Sequence, residues 1–265
     1  MQELSKREYW ADLYDAAQVV PIDKRSCVHR ALRSYADVFL WDHLIPSALP
    51  AKPGLKVVEL GSAPGANLVR FHQRYGCDVY GIEYTESGVA QNRALFAAHA
   101  LDPAHVVHAD IFDPELSTRY AGFFDVVFSF GLIEHFSDPQ PAVERHMCLL
   151  KPGGTLILVI PNLRGIHHFL TVLFNRPLLA LHNLPLMQRA AFQQLCSLSG
   201  TRSLYCGYYG VFTPDVHNTP PHSVKRHLLR CVKVACLPLQ WLLRALRQYG
   251  RWESSMFSPY LVFLG

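Results

Sequence analysis

A glycine-containing turn and an acidic residue are spaced so that they could hold the sugar of a nucleoside. In the segment ELGSAPGAN (59–67), Gly61 and Gly65 let the backbone approach a ligand closely, and a helical pattern follows. Glu83 follows the turn at a separation where a carboxylate can accept hydrogen bonds from both ribose hydroxyls. A solvated acid that caps the next helix is the structural alternative for Glu83. Together the turn and the acid favour nucleoside binding.

The turn departs from the dinucleotide-binding fingerprint. GxGxxG would place glycine at 61, 63 and 66, but the chain has Ala63 and Ala66, so the close approach to a pyrophosphate is compromised. This disfavours a nicotinamide-dependent dehydrogenase. Farther along, Asp110 is suited to the exocyclic amine of an adenine, and Ile111 offers an apolar contact to its ring. An ordinary turn aspartate is the alternative for Asp110.

Histidines near strand ends could handle a proton. His135 lies in GLIEHF (131–136), just after an apolar run, and an imidazole with an ordinary pKa of about 6.5 is readily tuned as a base. Glu134 would orient His135 or serve a structural role. His167 and His168 follow the next run and could touch a second substrate. Packing, a backbone hydrogen bond or plain surface exposure is the alternative for these histidines.

The elements that must position these residues alternate between short apolar runs and helical patterns. Because the runs are apolar throughout, they are typical of parallel strands buried on both faces of a sheet. The intervening segments have room for crossover helices, which predicts an open, doubly wound α/β sheet with ligands beyond the carboxyl ends of its strands. The strands are predicted at 56–61, 77–83, 105–110, 123–130, 154–162, 204–212 and 258–265.

In combination, these motifs resemble class I S-adenosylmethionine-dependent methyltransferases. ELGSAPG, GIE (81–83), HAD (108–110), FDVVFSFGLIEHF (124–136) and LLKPGGTLILVIPN (149–162) follow the order and spacing of that family. The resemblance implies a Rossmann-like seven-stranded sheet with the last strand antiparallel, and S-adenosylmethionine as cofactor. Ala63-Pro64 replaces the middle of the usual GxGxG. The implied donor contacts are Glu59, Gly61, Ser62 and Gly65 for the methionine portion, Glu83 for the ribose, Asp110 and Ile111 for the adenine, and Ser129, Phe130 and Gly131 near the sulfonium.

Composition and charge limit the classes of protein to which the chain can belong. The chain has 265 residues, 50% hydrophobic and 17% charged, which fits one large α/β domain and excludes a disordered protein. Seven scattered cysteines without a CxxC pair indicate neither a disulfide framework nor a zinc site. The amino terminus lacks the apolar run of a signal peptide, so we expect a cytoplasmic protein. The net charge of +4 comes from seven basic residues between 216 and 252, and the rest of the chain is mildly acidic.

Segments added to the sheet are expected to recognise the methyl acceptor. We divide the chain into a helical lid at 1–50, with Tyr9 and Tyr14 as donor contacts, and a methyltransferase domain at 51–265. Within that domain, 163–200 and 213–255 form a cap on the acceptor side. The stretch 223–251 places basic residues along one helical face and apolar residues on the others. Two roles remain open for this insert: a cap whose apolar face covers the cleft, or an amphipathic helix that lies on a membrane surface.

These observations predict methyl transfer from S-adenosylmethionine to a small-molecule acceptor, lipophilic compounds included. Oxygen is preferred because Ser129-Phe130-Gly131-Leu132 replaces the acidic or Asn-Pro-Pro-Tyr cluster of many amine methylators. A metal-independent mechanism is predicted, since the Lys/Asp pair of a catechol-type metal site and an HExxH motif are both missing. The alternatives are an RNA methyltransferase, disfavoured by the acidic body, and a membrane or scaffold protein with a retained donor pocket. The sequence leaves the oligomeric state open.

Overall fold

Seven strands form one mixed sheet in this computed structural model, which describes residues 2–15, 33–49, 52–198, 200–211, 213 and 224–265. The strand order is β3-β2-β1-β4-β5-β7-β6, and β7 pairs antiparallel with both of its neighbours. The predicted doubly wound sheet with an antiparallel last strand is therefore confirmed. The strands are β1 (Lys56–Leu60), β2 (Asp78–Glu83), β3 (Val106–His108), β4 (Phe124–Phe130), β5 (Leu150–Pro161), β6 (Tyr205–Tyr209) and β7 (Tyr260–Leu264).

Helices cover both faces of the sheet. A π-helical turn (Leu40–Leu44) joins two short helices near the amino terminus, and 3-10 turns follow β4 and α8. The helices are α1 (Arg7–Asp15), α2 (Tyr35–Phe39), α3 (Ile45–Ala48), α4 (Ala66–Tyr75), α5 (Glu86–Ala98), α6 (Pro114–Tyr120), α7 (Gln140–Leu149), α8 (Gly165–Asn175), α9 (Arg189–Leu198) and α10 (Val224–Ala245).

The core lies on both sides of the sheet, as the continuous apolar runs predict. In β4, alternate side chains such as Val126 and Val127 face opposite helix layers and are fully buried. One layer packs Trp41 and Phe71 against Phe128, and the other is built from α6, α7 and α9. Burial on both faces fixes the strand register, because a shift by one residue would exchange the two sets of side chains. The strand ends are thereby held in place.

The segment predicted as a lid at 1–50 divides into parts with different roles. Residues of α2, the π-helical turn and α3 belong to the core: Tyr35 and Ile45 are fully buried and Trp41 is 2% exposed. Residues 16–32 and 50 lie outside the described part of the chain. Residues 35–48 are therefore core rather than lid, because their large apolar side chains are more stable packed on the sheet than over a cleft. For residues 2–15 the lid stays a prediction.

The inserted helix α10 presents polar as well as apolar side chains to the protein. The side chain of Gln240, 2% exposed, accepts a hydrogen bond from the Tyr35 N–H at 3.0 Å, and Arg244 Nη1 donates to the Arg33 carbonyl oxygen at 2.9 Å. Gln240 thus satisfies a backbone donor at the start of α2, which has no partner within its own helix. Leu229 and Leu243 of α10 are buried as well, so the inward side of the helix combines apolar and polar side chains.

A broad apolar surface remains exposed on α8, α10 and the segment before β7. Its side chains are between 39% and 84% exposed. Among the described helices, none combines the length and the apolar composition that crossing a bilayer requires. The members are Ile166, Phe169, Val172 and Leu173 on α8; Val224, Leu228, Val234, Leu239, Trp241 and Leu242 on α10; and Leu246, Trp252, Met256 and Phe257 beyond it. We call these residues the apolar surface.

Candidate active site

A cavity of about 400 Å³ opens at the carboxyl ends of the central strands. Gly61 and Glu83 line it after β1 and at the end of β2, and Asp110, Phe130 and Pro161 continue the wall across the next strands. Residues of α1 cover the opposite side. A crevice at this edge is where open α/β sheets bind ligands, and its volume is in the range of small-molecule sites.

Glu83 is fixed in the cavity wall by its neighbours. Its Oε1 accepts hydrogen bonds from the Thr85 N–H at 2.9 Å and from Thr85 Oγ1 at 2.7 Å, and Oε2 accepts a longer one from the Ala63 N–H at 3.4 Å. A carboxylate offers about four lone-pair positions. Thr85 occupies both positions on Oε1, so Oε2 keeps one free position beside its long contact with Ala63 and can accept one further hydroxyl donor. The position of the side chain is set before a ligand arrives.

Two glycines shape the turn between β1 and α4. Gly61 has a φ of 69°, and a Cβ at this position would lie 3.3 Å from Leu132 Cδ1. Gly65 precedes α4 with a φ of 95°, and a Cβ there would collide with Asn92 Oδ1. Both residues thus need the left-handed backbone and the missing side chain of glycine. Gly61 itself lines the cavity.

The residues predicted to contact the adenine, and two of those predicted near the sulfonium, also line the cavity. Asp110 is exposed, and its Oδ1 accepts a hydrogen bond from the Phe112 N–H at 2.9 Å. Ile111 beside it is half-buried, and Phe130 and Gly131 line the wall after β4. The tertiary structure thus brings together side chains from four strand ends around one space.

Four of the predicted donor contacts do not line the cavity. Glu59 is buried, its Oε1 accepts a hydrogen bond from Asn67 Nδ2 at 2.8 Å, and burial raises its pKa. The side chain of Ser62 is held by Asn92 at 2.6 Å. Glu59 Oε2 and Ser129 Oγ have no hydrogen-bond partner among the described residues, and at the turn the lining comes from Gly61 and Ala63. The four residues are Glu59, Ser62, Gly65 and Ser129.

Helix α1 and the strand-like segment before it cover the cavity. The Leu4 N–H donates to the His135 carbonyl oxygen at 2.7 Å, and Glu3 forms an isolated antiparallel bridge with Phe136. Tyr9 and Tyr14 line the space, as does Trp10, whose ring lies edge-on to His135 with centroids 4.9 Å apart. Trp10 was not among the predicted contacts. Its helical spacing from Tyr14 was visible in the sequence, but its contact with His135 was not.

Glu134, His135 and His182 meet at the other end of the cavity. Glu134 Oε1 lies 3.7 Å from His135 Nε2, and one potential ligand atom from each residue lies within 4.8 Å of the other two. Burial raises the pKa of Glu134 to about 8, and burial followed by the neighbouring His182 lowers the pKa of His135 to about 3. Burial also lowers the pKa of His182. A neutral imidazole with a pKa this low is a weak base on its own.

Known proteins share this architecture. A family model described as a methyltransferase domain matches residues 32–204, more than half of the chain. The chain belongs to this methyltransferase family. The match includes the strands and the glycine turn on which the class I resemblance was based, so that prediction is confirmed.

Two curated relatives of the methyltransferase match about two fifths of this chain. The ubiquinone biosynthesis O-methyltransferase of Acinetobacter baylyi (strain ATCC 33305 / BD413 / ADP1) is 33% identical over 101 residues, which cover 38% of this chain and 41% of that protein. The tRNA U34 carboxymethyltransferase of Pseudoalteromonas translucida (strain TAC 125) is 29% identical over 119 residues, 44% of this chain and 35% of that protein. The aligned part thus spans less than half of either relative.

Among solved structures, a geranyl diphosphate C-methyltransferase from Streptomyces coelicolor A3(2) has the same fold. It was crystallised with Mg²⁺, geranyl diphosphate and S-adenosyl-L-homocysteine. It aligns with a TM-score of 0.59 at 12% identity, over 97% of this chain and 96% of that chain. At this identity the likeness concerns the fold alone.

His167 and His168 of this methyltransferase do not reach the cavity. His167 is 2% exposed, and its Nε2 hydrogen-bonds the Phe257 carbonyl oxygen at 3.2 Å beneath α8. His168 is exposed on the same helix. The prediction that either one touches the acceptor is therefore corrected. A three-residue loop (162–164) separates β5 from α8.

The prediction that α10 caps the cavity is wrong for its described residues, since none of them lines the cavity. The acceptor side is instead formed by Leu178 and His182, which lie in and after a 3-10 turn (Arg176–Leu181) within the predicted segment 163–200. Sequence reasoning missed His182. The only signal available was its polar character in a stretch otherwise rich in leucine.

Proposed function

We propose that this protein transfers a methyl group from S-adenosylmethionine to a small-molecule acceptor, with oxygen as the methylated atom. The observation that carries the proposal is a single cavity that joins a nucleoside-type wall, with Gly61 and Glu83, to the Glu134, His135 and His182 end. Family membership and the S-adenosylhomocysteine-bound fold neighbour support it.

The residues of the cavity wall offer the contacts that S-adenosylmethionine needs. Glu83 has free acceptor capacity for a ribose, Gly61 lets the backbone approach, and Asp110 with Ile111 offers a polar and an apolar contact to a purine. When bound, S-adenosylmethionine supplies a methyl group that its sulfonium already activates. The remaining task of the protein is to exclude water and align the acceptor, for which α1 with Tyr9 and Tyr14 closes the space.

The acceptor end favours a small, partly apolar molecule. Leu132, Phe136 and Leu178 line it together with the three polar side chains. A space of about 400 Å³ under α1 suits a small molecule better than a nucleic-acid strand, which needs an open basic groove. The relatives named ubiquinone biosynthesis O-methyltransferases support an oxygen acceptor with lipophilic character. His135 and Glu134 are the residues we place next to the reacting oxygen.

The donor half of the proposal is tested by calorimetry with S-adenosylhomocysteine. We expect one site per chain, and transfer of the radiolabelled methyl group of S-adenosylmethionine to members of a phenol and hydroxy-acid panel. Absence of S-adenosylhomocysteine binding to the folded protein would contradict the proposal. Binding with transfer only to amines or thiols would contradict the oxygen assignment.

We further propose a cytoplasmic protein that contacts anionic membranes through the apolar surface. The exposed Arg230 and Lys233 lie on α10 among its exposed apolar side chains, an arrangement typical of helices that lie in the membrane interface. The oxygen acceptor proposed above would partition into the same membrane when it is lipophilic.

Flotation with vesicles of phosphatidylglycerol and phosphatidylcholine tests the membrane contact. The double variant L242E/L246E places charge on two side chains that are 53% and 57% exposed, so folding is little affected. We expect the vesicle-bound fraction of the double variant to fall at least about tenfold, because each leucine loses apolar burial worth roughly 1.5–3 kcal/mol. L204E, at a 58% exposed leucine outside the apolar surface, is the matched control. Equal flotation of L242E/L246E and wild type would refute the contact.

A further inference from the structure

We infer that Glu134, His135 and His182 bind one divalent first-row transition metal ion at the acceptor end of the cavity. The binding site stands on the geometry of these side chains. Its role in catalysis rests on the proposed function, which it deepens.

The Glu134 carboxylate is buried at the site, and both of its oxygens lack a hydrogen-bond partner among the described residues. The side chain is 1% exposed, and neither Oε1 nor Oε2 accepts a hydrogen bond from another described residue. Gly131 leaves the space beside it open, since a Cβ there would lie 3.4 Å from Oε1. A buried carboxylate without partners is costly and is ordinarily paired or bound to a metal. The missing partner is therefore expected to be a cation.

Both imidazoles have the same nitrogen engaged with a backbone carbonyl. His135 Nδ1 lies 2.7 Å from the Leu181 carbonyl oxygen, and His182 Nδ1 lies 2.7 Å from the Leu178 carbonyl oxygen. A carbonyl oxygen can only accept, so each Nδ1 carries the proton and donates it, which leaves a lone pair on each Nε2. Metal-binding histidines are typically oriented and polarised in this way by a backbone carbonyl.

A second set of hydrogen bonds joins the two chain segments that supply the ligands. The Asn183 N–H donates to the Glu134 carbonyl oxygen at 2.7 Å, and Asn183 Nδ2 donates to the carbonyl oxygens of Phe136 and Ser137 at 3.1 and 3.2 Å. The loop with His182 is thereby tied to the turn that carries Glu134 and His135. These hydrogen bonds hold the three side chains close to one another.

The distances and ligand types select the class of ion. Metal–ligand distances of about 2.0–2.2 Å place the ligand atoms of one ion roughly 3–3.5 Å apart. The present separations, 3.7 Å for one pair and at most 4.8 Å for the others, need a closure of about 1 Å that side-chain rotation supplies. Two imidazoles with one carboxylate suit Zn²⁺, Mn²⁺ or Fe²⁺ rather than the all-oxygen preference of Mg²⁺ and Ca²⁺.

The three protein ligands would fill only part of the coordination sphere of the ion. Further positions would stay open to a molecule in the cavity. With the Glu134 carboxylate, a divalent ion keeps a net charge of +1 and favours an anionic acceptor oxygen. The acceptor hydroxyl would release its proton to water on binding. Its oxygen would then form a bond to the methyl carbon as the carbon–sulfur bond breaks and leaves its electron pair on sulfur. In this arrangement His135 is a ligand rather than the base, and the mechanism differs from the metal-independent one that the sequence favours.

Metal binding is measured directly on chelator-treated full-length protein. We expect titration with Co²⁺ to give one site per chain and a visible absorption spectrum of nitrogen and oxygen ligands. Six free cysteines are present among the described residues, and thiolate binding would be distinguished by its charge-transfer absorption in the near ultraviolet. The variants E134Q and H182A should each weaken Co²⁺ binding by more than about 100-fold, because even outer-shell partners are worth roughly 10–100-fold in affinity.

The matched control is H168A, which removes an exposed histidine outside the cavity. It should leave the stoichiometry and affinity for Co²⁺ unchanged. S-adenosylhomocysteine binding, measured on the same preparations, separates the two proposals. Wild type that binds S-adenosylhomocysteine but no Co²⁺, or Co²⁺ binding that survives in both E134Q and H182A, would overturn the metal site while the proposed methyl transfer stands. Loss of S-adenosylhomocysteine binding in wild type with Co²⁺ bound would overturn the proposed function alone.

Discussion

Replacing His135 by alanine is expected to lower kcat by roughly 10²–10⁴-fold, the range measured for groups that handle the proton of a reacting atom. The imidazole is 6% exposed, lines the acceptor end of the cavity and lies 3.7 Å from Glu134. Its Nδ1 is committed to the Leu181 carbonyl oxygen, so Nε2 is the atom that can act on the acceptor, directly or through a bound ion. The affinity for S-adenosylhomocysteine should change by less than about threefold, because we propose that the donor is bound by Glu83 and Gly61.

Single-turnover methyl transfer and calorimetry measure these two effects in the same preparation. H168A is the control for loss of an imidazole from the surface, and its kcat should equal that of wild type. H182A separates the two roles of His135: a comparable loss is expected when both histidines are ligands, and a much smaller loss when His135 is the sole base. Full turnover in H135A would make His135 a packing residue that only supports Trp10.

Replacing Glu83 by alanine should weaken donor binding by about 100-fold. A hydrogen bond to a charged group is worth roughly 1.5–3 kcal/mol, and the loss of a ribose contact at the upper end of this range corresponds to about two powers of ten in Kd. The carboxylate is only 2% exposed and already fixed by Thr85, so little ordering is needed when the donor binds. Calorimetry with S-adenosylhomocysteine measures the effect.

Two further variants make the Glu83 result specific. E83Q keeps the shape and the contact to Thr85 but exchanges an acceptor for a donor, and it should lose most of the affinity that E83A loses. E86A removes an exposed acid from the first turn of α5 and should bind the donor like wild type. Unchanged affinity in E83A, with the protein folded, would remove the ribose assignment.

Much of the fold and the donor side was predictable because the relevant signals are local. Each strand is an apolar run of its own, and parallel strands buried on both faces carry that pattern without help from distant residues. Gly61 and Glu83 follow their strands directly, so locating the strands also locates these residues. The same reasoning does not show whether Glu59 and Ser62 line the cavity, because the direction of a side chain at a tight turn depends on partners such as Asn67 and Asn92.

The insert shows where helical periodicity is insufficient. The spacing of basic and apolar residues in α10 correctly indicates a helix with two faces. Which face packs is decided by the protein it meets, and here the start of α2 requires a hydrogen-bond acceptor that Gln240 provides. Leu243 packs inward beside Gln240 while Trp241 and Leu242 remain exposed, a division that the sequence pattern on its own does not predict.

The sequence by itself determined the sheet, the order of its motifs and the cavity wall with Gly61 and Glu83, since these follow from hydrophobic patterning and from residues that directly follow strands. Only the tertiary structure decided the acceptor end. His182 is 47 residues from His135, in an irregular loop whose path is set by the hydrogen bonds of Asn183 to the turn after β4. No periodicity encodes such a contact, because the loop backbone follows its partners rather than a repeating geometry.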